Sequence, residues 1–208
     1  MKFASRPLRG LIGFGLLTLT ALIIACSDIP EYPHSEPVVA PQQSFAYQRD
    51  IKPILENRCM ACHGCYDAPC QLKLTSADGV KRGASQLQVY DAARLEDMLP
   101  TRLGTDAQSE AQWREQGFFS VLHDADEGVA SGLDGSLLFR MLELGQRNPL
   151  PPNSRLPDDI KIGTSHSFSC PTLDTFADYA QANPHGGMPY ATTGLSAEEF
   201  ARLSQWIA

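Results

Sequence analysis

The chain is short of basic charge, has no internal repeat and no low-complexity tract, and has no apolar run long enough for an ordinary membrane-spanning helix. Seventeen Lys and Arg face 24 Asp and Glu, a net charge of −7. That balance argues against nucleic acid as a partner, because phosphates require a basic surface. What is present is enough apolar residue, 43% of 208, to build a core of roughly one domain. Sixteen glycines and 15 prolines point to many loops and short helices instead of long regular elements.

The first 25 residues read as an export signal. Lys2, Arg6 and Arg9 form a positive start, and an apolar run over 11–24 follows, interrupted by Gly13 and Gly15. The run closes on small residues before Cys26. Ile23-Ile24-Ala25-Cys26 resembles the bacterial lipobox, in which the cysteine thiol takes a diacylglyceryl group and the signal is cut before it. Several acyl chains make such an anchor stable where one would be marginal. Ser27, not an aspartate, follows the cysteine, which by resemblance to lipoprotein sorting directs the protein to the outer membrane, facing the periplasm. That compartment is oxidising, so spare cysteines are expected to pair. Pro30, Pro33, Pro37 and Pro41 make 26–44 an extended tether, with His34 solvated on it. The domain proper is expected over 45–208.

Within it, 45–58 has helical spacing of Phe45, Ile51, Ile54 and Leu55, with the regular helix starting near Asp50 so that Pro53 falls in the first turn. A loop is expected through Cys70, then an extended piece at Leu72 and Leu74, then a short turn or helix opened by Ser76 and ending near Gly83. A loop-rich helical insertion spans about 91–132, with candidate helices at 94–99 and 108–122; Trp113, Phe118, Val121 and Leu122 would line the latter. A helix is expected over 136–144, burying Leu137, Leu138, Met141 and Leu142, with Gly145 as its stop. A proline-rich loop covers 148–157, and 173–182 reads as a helix bearing Phe176 and Tyr179. Ser196 and Glu199 form a capping box for a last helix whose face is Phe200, Leu203, Trp206 and Ile207.

The chemistry sits in Cys59-Met60-Ala61-Cys62-His63, the C-x-x-C-H pattern of covalent haem attachment. Two thiols three residues apart can add to the two vinyl groups of one porphyrin, and the adjacent histidine is then directed at the iron. The same spacing could hold zinc or act as a redox dithiol, but a second ligand pair at zinc-finger spacing is lacking and a dithiol has no use for His63. The cofactor expected is therefore one covalent haem c. For the iron's other face the candidate is Met188, in the Gly-rich His185-Gly186-Gly187-Met188-Pro189 loop, with His185 as its rival; a thioether would raise the iron's reduction potential relative to an imidazole. Met98 and Met141 read as core, His123 and His166 as surface or hydrogen-bonded. Cys65, Cys70 and Cys170 allow three single pairings: Cys65–Cys70 would pin the loop after the haem motif, while Cys170 could tie that loop to the later segment.

The order of these parts resembles bacterial c-type cytochrome domains, so the fold class expected is mainly α and cytochrome c-like. Residues 59–83, CMACHGCYDAPCQLKLTSADGVKRG, are more specific: they resemble the N-terminal region of the bacterial fatty acid cis/trans isomerases. The Cys65-Tyr66-Asp67-Ala68-Pro69-Cys70 insertion, Val89-Tyr90-Asp91 and Gly187-Met188-Pro189-Tyr190 carry the likeness further. The resemblance implies a periplasmic haem protein that converts cis double bonds of membrane fatty acids to trans. In that family's proposed chemistry the haem iron borrows an electron from the double bond, the bond turns, and the electron returns. It implies unsaturated fatty acid or phospholipid acyl chains as partners, and His63, through the iron, as the catalytic ligand. Family members are several times longer, so the chain is expected to be the N-terminal part of such an enzyme, or a haem subunit associating with a further portion. The competing readings are a periplasmic electron-transfer cytochrome and a non-catalytic haem subunit.

Overall fold

A proline decides where the first helix begins. In the computed structural model, which describes residues 46–64, 68–87, 101–123, 132–160 and 170–208, helix α1 is Lys52–Arg58 with Pro53 in its first turn. There the missing N–H costs nothing. Ahead of it, Tyr47–Ile51 forms a wider π turn, tied at its start by the Ala46 N–H donating to the Asp50 carboxylate at 2.9 Å. The backbone breaks at Cys59 and resumes as one turn, α2, Met60–His63.

After a 3₁₀ turn at Pro69–Gln71, α3 (Ala77–Arg82) is capped by Ser76, whose Oγ accepts from the Gly79 N–H at 3.1 Å. It ends at Gly83, with φ of +84°. A Cβ there would run into the Phe119 carbonyl, because the chain enters β1 (Ala84–Ser85), antiparallel to β2 (Phe118–Phe119) with Ala84 opposite Phe119. Between the two strands lies α4, Glu110–Glu115. Helix α5 (Leu137–Arg147) is capped by Ser136, α6 is Phe176–Ala182, and α7 (Ala197–Ile207) carries the complete Ser196–Glu199 capping box.

One apolar core joins α1, α3, α5 and α7 through Ile51, Leu55, Val80, Leu142 and Leu203, all at most 2% exposed. Tyr47 and Trp206 close one edge, ring centroids 5.9 Å apart. A satellite cluster of Ala107, Trp113 and Phe118 lies within the insertion. The described part of the chain is mainly helical, as the sequence implied, and none of its helices is long and apolar enough to cross a membrane.

Three local expectations need correction. Residues 108–122 are not one helix. Gly117, at φ of +83°, ends α4 after Gln116, and Phe118 turns back edge-on to Trp113, 5.2 Å between centroids. Gly145 does not stop α5, which runs on to Arg147; it is a crossing point, treated below. The helix expected from 173 starts only at Phe176. The signal segment 1–25, the tether 26–44 with Cys26 and His34, the candidate helix 94–99, Cys65, Met98 and His166 lie outside the described residues.

Candidate functional site

Cys59, Cys62 and His63 share the turn that begins where α1 ends. The His63 N–H donates to the Cys59 carbonyl at 2.9 Å and the Cys62 N–H to the same carbonyl at 3.2 Å. Gly64 closes the turn so tightly that a Cβ would meet the Met60 carbonyl. The imidazole is 6% exposed, and its Nδ1 lies 3.0 Å from the Leu72 carbonyl oxygen. A carbonyl only accepts, so Nδ1 carries the proton and Nε2 keeps its lone pair for another partner. Burial holds His63 below its ordinary pKa against the opposing pull of Leu72. The neutral ring that results is the form that ligates a metal.

Both thiols are unpaired; Cys62 is exposed and Cys59 half-buried. Burial first, then Cys62 and Glu199, push the Cys59 thiol up to about 11. A thiol that holds its proton so firmly is a poor redox nucleophile. No group of three or more His, Cys, Asp or Glu side chains that could hold a metal ion occurs among the described residues. Two free thiols beside a neutral histidine with one nitrogen anchored and the other available fit a porphyrin's two vinyl carbons and its iron.

The residue before Leu72 is itself held by a buried cation. Arg82, 1% exposed, donates through Nη2 to the Gln71 carbonyl and through Nη1 to the Thr101 carbonyl, the latter at 2.6 Å. Its guanidinium carbon sits 4.9 Å from the Phe118 ring centre and 5.7 Å from that of Trp113. Desolvation lowers its pKa to about 10, which leaves it charged at neutral pH. Sequence reasoning missed this residue. A cation at a helix C-terminus is ordinary, and nothing local says that this one turns inward.

Met188 lies half-buried on the same core that Cys59 borders. Its N–H donates to the Met141 carbonyl at 2.8 Å. A Cβ on Gly187 would strike the Gly145 backbone, and one on Gly145 the Met188 carbonyl, so two glycines let the loop lie directly on α5. His185 borders the same small cavity as Met188, but its Nδ1 is 2.8 Å from Asp159 Oδ2. His123 points Nε2 at the Ile207 carbonyl, 2.7 Å away, and Met141 is core, as expected of both. Of the three cysteine pairings, the structure has Cys70–Cys170, which rules out Cys65–Cys70.

Residues 98–208 match the model of the family described as fatty acid cis/trans isomerase (CTI). The chain belongs to this family. The matched stretch carries Thr101, Trp113 and Phe118 of the arginine cage, the Met188 loop and Cys170, whereas Cys59, Cys62, His63 and Arg82 precede it. Comparison with curated proteins and with solved structures finds no match.

Proposed function

We propose that this chain is the haem-bearing portion of a fatty acid cis/trans isomerase, acting on the cis double bonds of membrane acyl chains. The observation that carries the reading is the anchored His63 imidazole, Nδ1 on Leu72 and Nε2 available, on one turn with two unpaired thiols, in a chain of the isomerase family. Cys59 and Cys62 would hold haem c through thioether bonds, and His63 would ligate its iron. When bound, haem would supply one-electron exchange with the double bond, the chemistry that loosens a π bond enough to rotate without net oxidation. The protein's share is orientation and exclusion of water. The Leu72 carbonyl fixes the ring plane of His63, burial keeps that ring neutral, and the Gly145–Gly187 crossing sets the Met188 thioether at the edge of the core. The domain is accordingly read as cytochrome c-like, and Met188, with His185 as its rival, would be the candidate for the iron's remaining position.

The setting follows from the first 44 residues: lipidation at Cys26 and a proline-rich tether on the periplasmic side of the outer membrane, beside the substrate bilayer. The test is expression with c-type maturation machinery, followed by intact mass, absorbance and an assay of a cis-unsaturated fatty acid. One added porphyrin mass, lost in Cys59→Ser and Cys62→Ser, together with formation of the trans isomer is the expected result. A haem-loaded chain that cycles between oxidation states yet isomerises nothing, alone or with the remainder of a longer family member, would instead make it an electron carrier.

A further inference from the structure

Arg82 is a buried cation for which no carboxylate partner is found among the described residues, and its Nε has no acceptor. A group of this kind is costly to bury. Among the described residues it donates to two backbone carbonyls, one earlier and one later in the chain. One is Gln71, the residue before the carbonyl that anchors His63; the other is Thr101, within the insertion. The Gln71 backbone is itself unusual. Cys70 and Gln71 both have positive φ, +56° and +50°, a conformation that side-chain-bearing residues avoid and that persists only where the surroundings impose it. The Gln71 amide adds a bond from Nε2 to the Leu87 carbonyl at 3.0 Å. The aromatic faces of Trp113 and Phe118 accept the charge laterally, which suits a desolvated guanidinium.

We propose that Arg82 is the positioning residue for His63: it clamps the left-handed Gln71 segment so that the Leu72 carbonyl meets Nδ1, and it fixes a positive charge on the segment that anchors this ring. The inference rests on the haem reading above. Its two consequences are separable. The clamp sets how uniformly the imidazole is held. The charge favours the iron state of lower positive charge, so it raises the reduction potential.

The experiment uses the haem-loaded protein and three variants, with the iron–histidine vibration read in the five-coordinate ferrous state produced by photolysis of the carbon monoxide adduct. Arg82→Met removes clamp and charge: the midpoint potential falls and the iron–histidine vibration broadens. Arg82→Lys keeps the charge but cannot span both carbonyls: the potential stays close to that of the parent while the vibration still broadens. Trp113→Leu thins the cage with both hydrogen bonds left in place: thermal stability falls, and potential and vibration stay put. A folded Arg82→Met protein with unchanged potential and vibration overturns the proposal, as does Trp113→Leu moving the potential as far as Arg82→Met does. Should Arg82→Met fail to fold, Arg82→Lys decides, and an unbroadened vibration there overturns the clamp. A parent chain without covalent porphyrin sinks the functional reading itself, whereas a haem-loaded chain indifferent to Arg82 sinks only this one.

Discussion

Arg58 and Glu199, 141 residues apart in sequence, meet in a two-pronged ion pair: Nε to Oε1 at 2.9 Å and Nη2 to Oε2 at 3.0 Å. Arg58 is the last residue of α1, immediately before Cys59, and Glu199 is the third residue of α7. The same Glu199 carboxylate accepts from the Ser196 N–H at 2.8 Å. One side chain therefore both caps the closing helix and holds the end of the helix that delivers Cys59.

This pair sets an acid limit on stability. The Arg58 hydrogen bond, more than the Ser196 bond or charge attraction, holds Glu199 below its ordinary value of 4.5. A depressed carboxylate contributes stability that is present above the unfolded value and is lost as pH falls through the folded one. Glu199→Gln keeps an amide able to complete the capping box and removes only the charge. It is expected to cost about 1 kcal/mol at pH 7, the upper range for a partly exposed pair. The cost should vanish well below pH 4.5, where the parent carboxyl is also neutral. Urea unfolding of both proteins across that range is the check; a pH-independent difference would assign the effect to packing.

Cys70–Cys170 closes a loop of 100 residues. By loop-closure entropy, opening such a loop costs about 4–5 kcal/mol. Cys170→Ser should show a large fall in urea midpoint, while Cys65→Ser should leave the bridge in place. Peptide mapping without reductant should find the peptides bearing Cys70 and Cys170 joined; joining of Cys65 to either would contradict the structure.

The Gly145–Gly187 crossing has no room for a methyl group on either side, since each Cβ would meet backbone. Gly145→Ala is expected to cost at least about 1–3 kcal/mol, the usual range for overpacking. Because the strain is relieved by lifting the Met188 loop, haem-loaded Gly145→Ala should also lose part of its thioether–iron absorption. Gly194→Ala, with open space at its Cβ, is the control and should do neither.

Met188 and His185 can be told apart directly. If the thioether is the distal ligand, Met188→His lowers the reduction potential, and His185→Ala leaves it unchanged while breaking only the bond to Asp159. Redox titration of the two variants reads the difference; the opposite pattern would move the ligand to His185.

Elements whose cause is local were legible in the sequence. The capping box at Ser196 and Glu199 is an i, i+3 exchange of hydrogen bonds, and Pro53 restricts a helix start through its own ring. Ser76 and Gly83 bracket α3 for equally local reasons. Gly145 misled because a glycine after a run of leucines looks like a helix end. Its actual role comes from Gly187, a residue 42 positions away in a different loop. The helix expected across 108–122 failed for the same kind of reason: Phe118 is drawn into a cage with Trp113 and Arg82, and Gly117 makes the turn that allows it.

The sequence alone determined which residues share one turn, because covalent spacing places Cys59, Cys62 and His63 together whatever surrounds them. Only the tertiary structure decided what that turn can do. The Leu72 carbonyl that orients His63, the Arg82 guanidinium on the Gln71 carbonyl, the choice of Cys170 over Cys65, and the Gly145 seat for Met188 all join residues further apart than a helical turn reaches. Their pairing depends on burial and on which backbone groups remain unsatisfied once the core has closed, and no local pattern encodes that.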